Sequence, residues 1–212
     1  MTTPNSSHIA GRRHGAIPRP REFDYDAIVR AARDAFWERG YVATSLAQLQ
    51  AATGLSRSSL YQTFGSKREL FGRAVDNYLS EVIGPLLGPM ESPGSGKDEL
   101  VGYFLTLATF LRSAPANEAY RGCLVLNTFM ELNDLDDDAR KLVRAYRTRV
   151  RDAIRKTLAA MPDTVRDPDA TAEVLTAGQI GLMVTSRVDP IQAAVLAEII
   201  ANDIRNWPAL AH

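Results

Sequence analysis

The chain has a single cysteine, only three histidines and no apolar run approaching the roughly 18 residues of a membrane-spanning helix. One cysteine excludes an internal disulfide framework and is compatible with a reducing cytoplasm. The histidines, His8, His14 and His212, all fall in the tails, so a histidine-based triad or metal site has little support. The N-terminal stretch lacks the apolar core of a signal peptide. Neither a Walker-type phosphate loop nor a dinucleotide fingerprint is present. Asn133, Asp134, Asp136, Asp137 and Asp138 have the composition of a metal cluster but lack the glycine and distal glutamate of a calcium loop. They read as the acidic start of a long helix. The expectation is a cytoplasmic protein with no catalytic residues, no metal, no cofactor and no membrane partner.

What is present is a core and an uneven charge. A chain of 212 residues can bury enough surface to fold without staples. Lysine and arginine (25) balance aspartate and glutamate (25), yet residues 1–70 hold ten basic and six acidic side chains, a net of +4, and the remainder a net of −4. A basic N-terminal part beside an acidic remainder fits a nucleic-acid module joined to something else. Residues 1–22 read as a flexible basic arm, punctuated by Pro4, Gly11, Gly15, Pro18 and Pro20. Such an arm can track phosphates or enter a minor groove.

The most informative stretch runs from Thr44 to Lys67. Leu46, Leu49 and Ala52 recur at steps of three on one helix face. Ser45 and Gln48 fit a capping box, and Gly54 a left-handed stop. Ser56 can cap a second helix that buries Leu60 and Phe64. Ser66 and Glu69 fit a second capping box, which opens a further helix. Two short helices joined by a glycine turn make a helix-turn-helix, whose second helix enters the major groove. Once Leu60 and Phe64 are buried, that helix exposes Arg57, Ser58, Ser59, Tyr61, Gln62 and Thr63. These are hydrogen-bonding types suited to base edges and phosphates. Lys67 stands in the first turn of the next helix, where free amides and the helix dipole already attract a phosphate. A preceding helix from Asp24 to Arg39, with Phe23 and Ile28 as a hydrophobic staple, braces the pair.

The ordered residues Phe36-Trp37-Glu38-Arg39-Gly40-Tyr41-Val42-Ala43-Thr44-Ser45, Gly54-Leu55-Ser56, Leu60-Tyr61 and Phe64-Gly65-Ser66-Lys67 resemble the DNA-binding domain of the TetR family of bacterial transcriptional regulators. The resemblance spans about Arg19 to Leu79. It implies that Arg57, Ser58, Tyr61 and Gln62 read the major groove, with Ser59 in the same DNA-binding set and Gln62 the candidate for a bidentate adenine contact, and that Thr44, Ser45 and Lys67 hold phosphates. The family more often has glycine or alanine at position 58 and histidine at 62, so its base preference does not carry over. The resemblance also implies a palindromic double-stranded operator, a homodimer and an unidentified small-molecule effector.

The body reads as helical throughout. A fourth helix runs from Ser66 to about Ile83 and is expected to break or kink at Gly84-Pro85. Residues 88–97 read as a loop. Further helices are expected at Asp98–Ser113, Glu118–Leu132, Asp136–Met161, about 168–187 and 190–206, with Asp167-Pro168 and Asp189-Pro190 as caps. The last helix is apolar on two faces, one with Ala193, Leu196, Ala197, Ile200 and Ile204, the other with Ile191, Ala194, Val195 and Ile199. A terminal helix buried on two sides points to a two-fold dimer through the last two helices. Gly178 and Gly181 would permit the close approach. The basic run from Arg140 to Lys156 reads as the solvated face of the long helix. Phe104, Leu107, Phe129, Met130, Gln179 and Met183 are candidate pocket residues. Cys123, at a helix start beside Arg121, is a candidate redox sensor, although burial as a small apolar residue is the simpler reading.

The sequence therefore predicts an all-α fold of about nine helices. It divides into the arm (1–22), a three-helix helix-turn-helix domain (23–66) and a helical ligand-binding and dimerisation domain (67–212). The function expected is that of a sequence-specific DNA-binding regulator, a repressor released by a ligand. The rivals are a helical ligand-binding or adaptor protein that has lost DNA binding, and a small helical enzyme.

Overall fold

The computed structural model describes residues 24–115, 118, 120–131 and 137–209, with the side chains of Phe129 and Ala139 left aside. The basic arm, Phe23, residues 133–136 and His212 lie outside the described residues. Every regular element described is a helix.

Capping side chains and glycines fix the first three. Helix α1 spans Tyr25–Arg39, with the Asp24 carboxylate accepting the Ala27 N–H at 3.0 Å. It ends at Gly40, whose φ of 86° lies where an L side chain is strained. Helix α2 spans Leu46–Thr53. Its capping box is complete: the Gln48 N–H donates to Ser45 Oγ (3.3 Å) and the Ser45 N–H to Gln48 Oε1 (2.7 Å). Gly54 is left-handed, as expected. Helix α3 spans Arg57–Phe64 behind the Ser56 cap. The second capping box is only half made. Ser66 Oγ accepts the Glu69 N–H, but the Ser66 N–H turns to the Phe64 carbonyl, and the Glu69 carboxylate takes the Ser66 hydroxyl instead.

Helix α4 spans Lys67–Tyr78 and does not stop at Gly84-Pro85. It widens into a π-turn, Leu79–Ile83, and continues as α5, Gly84–Glu91. Proline is tolerated because the wider turn relieves the clash with the preceding carbonyl and Pro85 falls in the first turn of the new segment. The expected loop at 88–97 shrinks to 92–96. Helix α6 (Lys97–Ser113) follows, then α7 (Leu124–Phe129), shorter than expected. Gly122, at φ 65°, halts the chain before α7, and a Cβ there would meet the Met183 carbonyl at 3.2 Å. Helices α8 (Asp137–Ala159), α9 (Pro168–Ser186) and α10 (Pro190–Arg205) complete the body. Asp167 and Asp189 cap the last two, accepting the N–H groups of Ala170 (2.9 Å) and Gln192 (2.8 Å), each with proline at the first helical position. Counting α4, the π-turn and α5 as one rod, nine rods make up the described residues.

Two packing relationships position everything else. Phe36 of α1 meets Phe71 of α4 edge-on at 5.1 Å, and Tyr41 lies between Phe71 and Lys67. The first half of α4 thus belongs to the same apolar cluster as the helix-turn-helix. In the body, α10 packs along α6 through Ala193, Ala194, Ala197, Ala201 and Ile204, all buried. Small side chains there let the two backbones approach. Ala194 turns inward with Ala193, while Ile191 and Ile199 remain more than half exposed. On α9, Val174 and Val184 are exposed as well, and so is Val188 in the turn after it. None of the described helices is long and apolar enough to cross a membrane.

Candidate nucleic-acid interface

Leu49, Leu55, Leu60 and Phe64 are buried and hold α2 against α3. What remains outside on α3 is the expected polar face. Arg57, Ser58, Tyr61, Gln62 and Thr63 are exposed and Ser59 is half-buried. Ser56 Oγ caps the helix through the Ser59 N–H (3.1 Å) and lies 2.9 Å from the hydroxyls of both Ser58 and Ser59. The first turn of α3 therefore presents linked hydroxyls with capacity left for a further partner. The Arg57 guanidinium carbon sits 5.8 Å from the centre of the Tyr61 ring, which braces the long side chain over the helix. The Gln62 amide has no hydrogen-bond partner among the described residues, as a bidentate reader of adenine requires.

The phosphate-holding set needs one correction. Thr44 is fully buried and its hydroxyl donates to the Gly40 carbonyl at 2.5 Å, so it locks the turn between α1 and α2 and offers nothing to DNA. Ser45 is exposed. Lys67 lies 4.6 Å above the Tyr41 ring and donates to the Val42 carbonyl at 3.4 Å. Its ammonium pKa is lowered, chiefly by burial, against an opposing pull from Glu131. The Val42 N–H in turn donates to Glu131 Oε2 at 2.7 Å. Glu131 follows α7, so a carboxylate of the body closes over the turn that leads into the helix-turn-helix. A Cβ at Gly40 would meet the Glu131 carboxylate, which would have to swing aside, but the positive φ of the turn is what requires the glycine. Nothing local in the sequence signalled Glu131.

A second site lies where this head meets the body. A cavity of about 370 Å³ is walled by Trp37 of α1, Tyr78 and the π-turn, and by side chains of α6, α8 and α9. The Trp37 indole N–H donates to the Gly122 carbonyl at 3.0 Å. Of the expected pocket residues, Leu107, Gln179 and Met183 line this cavity. Phe104 is buried in the core behind it. Met130 is 73% exposed and takes no part, because α7 ends just before it and turns it outward. The Phe129 side chain lies outside the described residues. Tyr78, Phe110 and Tyr146 were missed; as aromatic residues on apolar stripes they look like ordinary core. Cys123 is buried in the same wall, accepting from the Tyr78 hydroxyl (3.3 Å) and donating to the Tyr146 hydroxyl (3.6 Å).

The basic face of α8 is tied down by ion pairs. Arg149 forms a two-pronged pair with Glu91 (2.6 and 2.8 Å), Arg147 binds Glu173 (2.7 Å), and Arg155 binds Asp169. These bonds spend the cations on neighbouring helices. No group of three or more potential metal ligands occurs among the described residues.

Residues 28–74 match the family described as bacterial regulatory proteins, tetR family. The chain is 27% identical to the HTH-type transcriptional repressor ComR of Escherichia coli (strain K12) over 198 residues, which is 91% of this chain and 92% of ComR. It is 30% identical to the repressor BdcR of the same organism over 148 residues, 69% of this chain and 68% of BdcR. Among solved structures, the TetR family regulator CifR in complex with a 26 bp double-strand operator superposes with a TM-score of 0.71 at 28% identity, covering 90% of this chain and all of that one. The matched head, the polar outer face of α3 and relatives that extend through the body together place this chain in the TetR family of bacterial DNA-binding transcriptional regulators.

Proposed function

We propose that the protein is a repressor that binds a palindromic operator as a homodimer in the cytoplasm and is released when a small molecule enters the cavity between head and body. In this reading Arg57, Ser58, Tyr61 and Gln62 contact base edges or nearby phosphates, Ser59 supports them, and Ser45 and Lys67 hold phosphates. The DNA-binding head is residues 23–66 and the ligand-binding and dimerisation body 67–212, with α4 as the rod between them. Two of the relatives carry repressor in their names, which supports the sign of the regulation.

The observation that carries the proposal is the position of Trp37. It belongs to the helix that braces the helix-turn-helix, it walls the cavity, and its indole is bonded to the body at Gly122. An occupant of the cavity therefore touches the head directly. Occupant and operator then weaken each other by the same factor, because each favours a different setting of the joint. The exposed valines of α9 and isoleucines of α10 supply the apolar surface that a two-fold partner would cover. Dimerisation sets two α3 helices roughly 34 Å apart, one turn of DNA. Since Cys123 stands in the cavity wall, thiol oxidation is an alternative signal, and it is excluded if a Cys123→Ser variant still releases DNA on electrophile treatment.

The test is fluorescence anisotropy with DNA flanking the protein's own coding region, against a scrambled duplex over a salt series. Preference for the flanking DNA by roughly a thousandfold, falling as salt rises, supports the reading. Weak and equal binding to both, together with no enrichment in a genome-wide selection of bound fragments, overturns it.

A further inference from the structure

Gln179 is the buried cavity residue whose presence packing explains least. It sits in the middle of α9, is 2% exposed and lines the cavity, yet its amide has no hydrogen-bond partner among the described residues. The amide meets only the cavity space, and an apolar side chain such as methionine, of similar length, would avoid the cost of an amide without a protein partner. The walls around it are mainly apolar, with Leu107, Met183, Val82, Leu86 and aromatic rings, and besides Cys123 and the two tyrosines the other polar side chain is Thr106. The Tyr78 hydroxyl donates to Cys123 and the Tyr146 hydroxyl accepts from it, and burial, reinforced by the neighbouring Cys123, pushes both phenols well above their usual range, so they stay neutral. No lysine, arginine, histidine or carboxylate lines the cavity among the described residues. Charge on an occupant would therefore go unmet at a high desolvation cost. At about 370 Å³ the space lies near the small end of ligand pockets.

We infer that the cavity takes an uncharged, mostly apolar small molecule whose single carbonyl or hydroxyl group pairs with the Gln179 amide while its apolar body packs against Trp37 and Met183. This rests on the proposal that an effector enters the body and adds its chemical class and the residue that selects it. The arrangement is economical. Apolar walls provide affinity without direction, and one amide, able to donate and accept, provides orientation. Orientation matters here because the opposite end of the occupant then lies against the indole that joins head to body.

Three naphthalene probes separate the contributions: 2-naphthol (neutral, one polar group), naphthalene (none) and 2-naphthoate (anionic). The full-length chain carrying Trp207→Phe leaves Trp37 as the sole tryptophan, so energy transfer from it reports binding and its location. The expected result is that 2-naphthol binds about a hundredfold tighter than 2-naphthoate. Gln179→Leu should weaken 2-naphthol about tenfold while naphthalene binds as before, which also shows that the cavity persists in the variant. Equal or tighter binding of 2-naphthoate, no effect of Gln179→Leu on 2-naphthol, or no binding of any probe overturns the inference. The same preparation is titrated with operator duplex. Failure of the probes with DNA binding intact sinks the ligand class alone. Selective probe binding that leaves operator affinity unchanged supports the ligand class and sinks the release mechanism.

Discussion

Trp37 and Gly122 are 85 positions apart in the chain and 3.0 Å apart in space, indole N–H to carbonyl oxygen. This one bond crosses from the helix-turn-helix bundle to the segment that carries Cys123. Trp37→Phe keeps an aromatic ring in the wall and removes the donor together with part of the indole's volume. Denaturant unfolding at fixed protein concentration should show a loss of about 1–2 kcal/mol, the cost of a buried carbonyl left without its partner. Operator binding in the absence of effector should be retained, since α3 is untouched.

Thr44→Val and Ser45→Ala, adjacent in sequence, should act on different quantities. The valine leaves the Gly40 carbonyl without the Thr44 hydroxyl and should cost about 1–3 kcal/mol of stability, with no change in the salt dependence of DNA binding. The alanine should cost about 1 kcal/mol through the lost cap and also weaken DNA binding. A Thr44→Val variant of unchanged stability with a reduced salt slope would restore Thr44 as a phosphate contact.

Lys67→Ala should lower the slope of log K against log salt by about 0.9 per protomer, one phosphate contact each, and should do so equally on operator and scrambled DNA. The readout is anisotropy at several salt concentrations.

Gln62→Ala should behave in the opposite way. Binding to the operator should weaken by about 1–3 kcal/mol while binding to scrambled duplex stays constant, because a base contact carries discrimination and a phosphate contact does not. Arg57→Ala sorts itself by the same comparison into a base reader or a phosphate holder.

Val184→Asp with Val188→Asp places two carboxylates on the exposed apolar surface at the end of α9 and in the turn after it. Sedimentation equilibrium should show a monomer where the parent chain is a dimer, and operator affinity should fall with the loss of the second half-site. A variant that remains dimeric would move the interface elsewhere.

Local chemistry was legible and distant pairing was not. Ser45 with Gln48, Asp167 with Pro168 and the glycine at 54 each specify an end of a helix within a few residues, and the structure agrees at each. The polar face of α3 followed by subtraction once Leu60 and Phe64 were assigned to the core. Thr44 was misread because its partner, the Gly40 carbonyl, is a backbone group that no side-chain pattern reveals. Glu131 escaped notice because its partner, the Val42 N–H, lies 89 residues away. Met130 was placed in the pocket on composition, and only the end of α7 decides which way it faces. Pro85 announced a break that the wider turn before it absorbs.

That turn, Leu79–Ile83, follows the part of α4 held by Phe36 and itself gives Val82 and Ile83 to the cavity wall. Each residue of an α-helix advances the azimuth by about 100°. Because a π-turn closes one residue later than an α-turn, five residues there advance the azimuth about as far as four do in an α-helix. The surplus residue is taken up as width, so α4 before the turn and α5 after it keep the phase that regular winding would give them. Deleting one of these five positions would narrow the turn and leave that phase nearly unchanged, whereas inserting a residue into the regular part of α4 would turn the helix-turn-helix against the cavity by roughly a quarter of a revolution.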